Sequence, residues 1–199
     1  MNLTLNQMEE KLNNTLSERR YKHSIGVMEA AVKMAEHFGA DVEKARIAGL
    51  LHDCAKEIDK DEALKMCDEL GILIDEEKRV QKGLLHADLG AELMKREYGI
   101  DDAEIYSAVK CHTMGKRDMS MLDKILYLAD FIEVNRREFD GLSELRRICF
   151  EDLDEAMLFA INLSISFVLS KGKTLHKQTT DTKEYYEKII ENKKREVTS

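Results

Sequence analysis

The sequence predicts an all-α fold. Three observations carry that prediction. The 199 residues include no proline and only ten glycines, too few breakers for a loop-rich β-sandwich. Capping residues and glycines recur at helix-length intervals. No stretch sustains the period-two alternation of a half-buried strand.

Each helix has a local reason. Thr4 with Gln7 forms a capping-box pattern before a first helix. A long helix runs over about 18–38, with Gly39 placed to stop it. Asp41 caps the next, which runs to about Ala55. Further helices are predicted over about 61–70 before Gly71, 76–82, 87–98 before Gly99, 102–112 after Asp101, and 121–134 after Ser120. The last are about 143–150, 153–171 before Gly172, and 181–196. Thr113–Met119 and Gly172–Thr180 read as polar functional loops. No linker marks a second domain.

Composition narrows the function. Hydrophobic residues make up 43% of the chain, enough for a core and too many for general disorder. With 31 basic and 39 acidic residues the net charge is −8. Broad adhesion to nucleic acid or an anionic membrane is excluded on that balance, while a small anionic ligand needs only a local basic cluster. The four cysteines form no CxxC pair and fit a reducing cytoplasm. The first twenty residues hold no apolar stretch of a secretory signal. The longest uncharged run, Ala156 to Ser170, is too short to span a bilayer and reads as a buried helix.

The informative residues are polar ones on apolar faces. His52 follows Ala45 and Ala48, His112 follows Ile105, Ala108 and Val109, His86 leads Leu89 and Leu93, and His23 leads Val27, Ala30 and Met34. Helical spacing puts these four histidines on inward faces of four helices. Asp130 interrupts the run Ile-Leu-Tyr-Leu-Ala-Asp-Phe-Ile. A buried carboxylate is costly unless paired or metal-bound. Small neighbours, including Ala48, Gly49, Ala87, Gly90 and Ala108, leave room between helices. Asp53 adjoins His52; adjacent helical residues diverge by about a hundred degrees, yet a centre wedged against the helix could take a ligand from both. His37 reads as a structural histidine bonded to a backbone carbonyl.

One polyvalent centre satisfies His23, His52, Asp53, His86, His112 and Asp130 together. Nitrogen and carboxylate donors suit iron, manganese, zinc or nickel. Six protein ligands exceed what one catalytic ion takes while keeping places for water and substrate, so two ions sharing a bridging carboxylate fit better.

The order H…HD…H…H…D resembles the HD-domain metal-dependent phosphohydrolases. Finer motifs narrow the resemblance: Arg20-Tyr-Lys-His23-Ser-Ile-Gly-Val27, Leu50-Leu-His-Asp-Cys-Ala-Lys56, Leu85-His86-Ala-Asp-Leu-Gly-Ala91, Cys111-His-Thr-Met-Gly115 and Lys124-Ile-Leu-Tyr-Leu-Ala-Asp130-Phe-Ile-Glu133. Together they are similar to the YqeK family of bacterial HD proteins, the symmetrical diadenosine tetraphosphate hydrolases. The resemblance covers about residues 18–180, and implies that 1–199 is a single HD domain: a helical bundle with a metal site between central helices and peripheral terminal helices. One departure is visible: Val134 stands where the family usually has proline. The resemblance implies two divalent ions, iron by preference. His23, His52, Asp53 and Asp130 would hold one, and Asp53 would bridge to a second on His86 and His112. The implied reaction cuts diadenosine tetraphosphate at its centre, giving two ADP. Asp53 and Lys56 are the catalytic candidates.

The acidic net charge makes phosphate-binding cations local. Lys56 lies one turn beyond His52-Asp53, and Arg20 shares a helix face with His23. Arg136 lies beyond Asp130. Thr113 and His176 are further substrate-contact candidates, whereas Lys116 and Arg117 read as ordinary surface charges. Guanosine-alarmone hydrolases usually carry Glu-Asp three residues beyond the His-Asp pair; Lys56-Glu57 stands here. The Gly-Tyr-Pro signature of cyclic-dinucleotide enzymes is impossible without proline. A nucleoside 5′-monophosphatase and a non-catalytic, metal-dependent nucleotide-binding module stay open, as does a homodimer.

Overall fold

Short polar side chains set most helix starts. In a computed structural model describing residues 3–197, Thr4 and Gln7 close a reciprocal capping box on α1 (Leu5–Thr15), and Ser17 caps α2 (Glu18–Phe38). Asp41 caps α3 (Val42–Leu51), Asp59 caps α4 (Lys60–Glu69), and Asp75 caps the short α5 (Glu76–Val80). A 3₁₀ turn, Lys82–Leu84, leads into α6 (Leu85–Tyr98). Asp102, Ser120 and Asp152 cap α7 (Ala103–Cys111), α8 (Met121–Ile132) and α10 (Leu153–Ser170). Between the last two lies α9 (Leu142–Ile148), and α11 (Lys177–Val197) ends the described chain. Each side-chain oxygen satisfies an amide that the first helical turn leaves without a partner. No strand occurs among the described residues.

The packing puts α2 against α3 and α8, α7 between α6 and α8, and α10 beneath α11. One main core fills the space, with Leu12, Met34, Leu50, Leu126 and Tyr127 fully buried. A smaller cluster of Ala63, Cys67, Leu85 and Leu89 joins α4 to α6. Gly49 permits the closest helix contact: a Cβ there would stand 2.6 Å from the Met28 Cα and 2.9 Å from its nitrogen. The room expected at Gly49 is thus taken by the backbone of α2.

Four expectations change. α3 stops at Leu51 rather than near Ala55. The chain then tightens through Cys54 N–H to Leu51 O and Lys56 N–H to Asp53 O. α6 begins at Leu85, two residues early, so His86 lies in its first turn. α11 begins at Lys177, inside the segment read as a loop, because His176 Nδ1 accepts the Gln178 N–H at 3.1 Å and serves the new helix end. Finally, α10 is only partly a buried helix. It is long and apolar enough to cross a membrane by length and composition. Ala156, Met157, Ala160 and Ile161 are buried in its first half, while Phe167 and Leu169 near its end are exposed.

Candidate metal centre

Helix ends bring most of the centre together. His52 and His112 are the C-cap residues of α3 and α7, His86 is in the first turn of α6, His23 lies inside α2, and Asp130 sits near the end of α8. Asp53 follows His52 in the tight turn beyond α3, and the His52 Nε2 lies 3.5 Å from its Oδ2. His23, His52, Asp53, His86 and His112 are all buried.

Every ring uses Nδ1 for orientation. His52 Nδ1 lies 2.8 Å from Gly49 O, His86 Nδ1 2.8 Å from Gly83 O, and His112 Nδ1 2.6 Å from Val109 O. His23 Nδ1 lies 3.1 Å from Glu133 Oε1. A neutral ring that donates through Nδ1 presents a lone pair at Nε2. Those lone pairs converge on carboxylate oxygens. His23 Nε2 is 3.0 Å and His52 Nε2 4.0 Å from Asp130 Oδ1. Asp53 turns Oδ2 toward the same rings, 3.5 Å from His52 and 3.9 Å from His23. It turns Oδ1 toward the other two, 3.3 Å from His86 and 3.5 Å from His112. His86 and His112 face each other Nε2 to Nε2 at 3.2 Å.

This donor set fits divalent cations. His23 Nε2, His52 Nε2 and Asp53 Oδ1 are buried without a hydrogen-bond partner, an arrangement that costs free energy unless a cation engages them. His23, His52 and Asp130 form one group able to hold an ion, and His52, Asp53 and His112 another. Nitrogen–oxygen sets of this kind suit iron, manganese, zinc or nickel. The cysteines stand outside: burial pushes the Cys54 thiol up to about 12 and Cys67 to about 11.

Charge around the centre is partitioned. Burial alone would raise the Asp53 pKa, but the His52 and His112 imidazoles and Lys56 hold it well below the usual carboxylate range. Asp130 is likewise held low, against burial, by His23 and Arg136. Burial lowers His23, yet Asp130 and Glu133 outweigh it and the net shift is upward. Burial and then Lys56 push His86 well down.

The basic candidates divide clearly. Arg20 Nη1 donates to Asp53 Oδ2 at 2.6 Å. Lys56 Nζ lies 2.9 Å from His86 Nε2 and 3.7 Å from Asp53 Oδ1. Arg136 donates to Asp130 Oδ1 at 3.1 Å. Thr113, beside His112, has a buried hydroxyl without a partner. Lys116 instead donates to Ser107 and pairs with Asp123, and Arg117 lies over the Tyr185 ring. His176 is buried, not exposed, with Nε2 3.2 Å from Asp75. It helps line a groove with Asp75, Lys116, Arg117 and Gln178 that contains none of the six donors. His37 contacts Phe150 O at 2.8 Å. Sequence reading gave Glu133 no role, although the motif running from Lys124 through Asp130 ends on it.

Known proteins resemble this chain over most of its length. The HD domain family model matches residues 20–135. A symmetrical bis(5′-nucleosyl)-tetraphosphatase of Halalkalibacterium halodurans is 38% identical over 180 residues, 89% of this chain and 93% of that one. Its Bacillus subtilis namesake is 38% identical over 167 residues, 82% and 87% of the respective chains. A crystal structure from Clostridium acetobutylicum, described as a predicted HD superfamily hydrolase involved in NAD metabolism, superposes with a TM-score of 0.90. It is 41% identical, and the match covers 94% of this chain and 98% of that one.

Proposed function

This chain belongs to the HD domain family, and we propose that it hydrolyses diadenosine tetraphosphate symmetrically, giving two ADP, at a centre of two divalent ions. The observation that carries the reading is Asp53, whose two oxygens each face a different pair of imidazoles. His23, His52, Asp53 and Asp130 would hold one ion, and Asp53, His86 and His112 the other. Iron is the metal proposed, and the same donors accept manganese, zinc or nickel. Four unpaired cysteines suit a reducing cytoplasm, and the net charge of −8 suits a free nucleotide rather than a nucleic acid or a membrane. The chain is read as one domain with α1, α10 and α11 packed around the HD core.

Bound divalent ions supply acidified water and positive charge for phosphate oxygens. In the reaction, water oxygen bonds to one of the two central phosphorus atoms while the central bridging P–O bond breaks. One ADP leaves with the bridging oxygen, and the water oxygen stays on the other. The chain's own part is to position and neutralise. Asp53 is ionised and fixed by Arg20, so it does not have to lose a proton or reorient during the reaction. Lys56, about one-third exposed, is the cation best placed to meet negative charge on the departing ADP. Arg20, Arg136 and the Thr113 hydroxyl complete a polar rim for the remaining phosphates, and His176 borders a more distant groove for a ribose or base.

Purified protein loaded anaerobically with ferrous iron is expected to convert diadenosine tetraphosphate to ADP alone, read by anion-exchange chromatography. Equal ATP and AMP would refute symmetrical cleavage.

A further inference from the structure

His23 is oriented differently from the other three histidines. His52 and His112 stand at helix C-termini, where the carbonyls of Gly49 and Val109 lack a helical amide partner and accept Nδ1–H. His86 uses Gly83 O in the 3₁₀ turn before its helix. His23 is the sixth residue of the 21-residue α2, and the carbonyls around it are committed to the helix. Its Nδ1 is held instead by a side chain from another helix. Glu133, the C-cap residue of α8 and 2% exposed, provides it.

The carboxylate is fixed at both oxygens. Oε1 faces His23, and Oε2 accepts the Asn135 N–H at 2.5 Å. Asn135 Nδ2 in turn donates to Lys22 O at 3.2 Å, tying the segment after α8 back to α2. The space for this carboxylate exists because residue 26 has no side chain. A Cβ on Gly26 would clash with Glu133 Oε2 and lie 3.1 Å from Asn135 Nδ2. Gly26 sits in a regular helix, so its role is room and not an unusual backbone angle.

We infer that Gly26 and Glu133 form a positioning pair that fixes the tautomer and direction of His23. The inference rests on the proposed metal centre, since its consequence is a lone pair at His23 Nε2 aimed between Asp130 and Asp53. Carboxylates that orient ligating histidines commonly change metal affinity by about 10–100-fold when removed. Glu133 touches no reacting group and is a positioning residue.

The test uses the full chain without metal, then with Mn²⁺ as the probe. Ring ¹⁵N–¹H correlation spectra at about pH 8.5, where histidine is neutral, should show all four clustered histidines as Nδ1–H tautomers. Glu133→Ala should shift His23 alone toward a mixed tautomer and weaken one of two Mn²⁺ equivalents by about 10–100-fold. Glu133→Gln, which keeps a carbonyl acceptor, should retain the tautomer and recover part of the affinity. Gly26→Ala should reproduce the Glu133→Ala phenotype by displacing the carboxylate, and the double variant should be no worse than Glu133→Ala. Circular dichroism establishes that each variant is folded. A wild-type His23 tautomer in folded Glu133→Ala or Gly26→Ala would overturn the pair, as would additive effects in the double variant. Failure of the wild-type chain to bind Mn²⁺ would instead contradict the metal reading, while the tautomer spectra still decide the pair.

Discussion

At His23 and His86 the same ring type is tuned in opposite directions. Two carboxylates favour the charged form of His23 and outweigh its burial, whereas burial and the Lys56 ammonium disfavour the charged form of His86. A ligating histidine must be neutral, so protons compete with metal wherever the ring pKa is raised. His23 is protonated at a pH where an ordinary histidine is still largely neutral, and His86 stays neutral into stronger acid. On acidification, the Mn²⁺ equivalent held beside His23 is therefore expected to leave first. Isothermal titration between about pH 8 and pH 5, bracketing the ordinary histidine range, should show the two-equivalent isotherm lose one equivalent before the other. Loss of the His86-side equivalent first would reverse the assignment. Lys56 makes a separate prediction. As a charge-neutralising group, Lys56→Met should lower kcat by about a hundredfold while two Mn²⁺ equivalents still bind. An unchanged kcat would remove Lys56 from catalysis.

At the scale of elements, the centre depends on how closely α2 approaches α3. Gly49→Ala would gain helix propensity of about 1 kcal/mol, but its Cβ would meet Met28 backbone at 2.6 Å, which cannot rotate away. Overpacking costs of ~1–3 kcal/mol should win and also shift the carbonyl that orients His52. A fall in Tm of roughly 5 °C is expected by thermal denaturation; a rise would show that the interface is loose. The helices themselves were legible because their starts and stops are local chemistry: Asp41 and Ser120 cap where the sequence places them, Asp102 caps one residue beyond the expected Asp101, and Gly39 and Gly99 take left-handed conformations at the stops. The misreadings arose where tertiary contacts decide. α3 ends early because the His52–Asp53 turn tightens. α11 starts early because His176, held by Asp75, caps it. The exposed end of α10 has an apolar pattern that periodicity cannot distinguish from a core helix.

For the whole molecule, five of the six donors were legible because each is polar on an otherwise apolar face, Asp53 because it adjoins His52, and the fold brings them together from five separate helices or helix ends. Their orientation was not legible. No sequence rule says that Glu133 holds His23, that Gly26 makes room for it, or that Asp53 splits its oxygens between two pairs of rings. The first two depend on contacts between residues about a hundred positions apart, as His23 and Glu133 are, and the third on rings brought in from four separate helices or helix ends. The basic candidates followed the same division: Arg20, Lys56 and Arg136 reach the donors, while Lys116 is absorbed by Ser107 and Asp123.

The most direct measurement is an anomalous difference map from crystals grown with Mn²⁺. Two peaks are expected, one touching His23, His52, Asp53 and Asp130, the other touching Asp53, His86 and His112. A single peak, or peaks that leave Asp53 outside coordination distance of either, would contradict a shared two-cation centre.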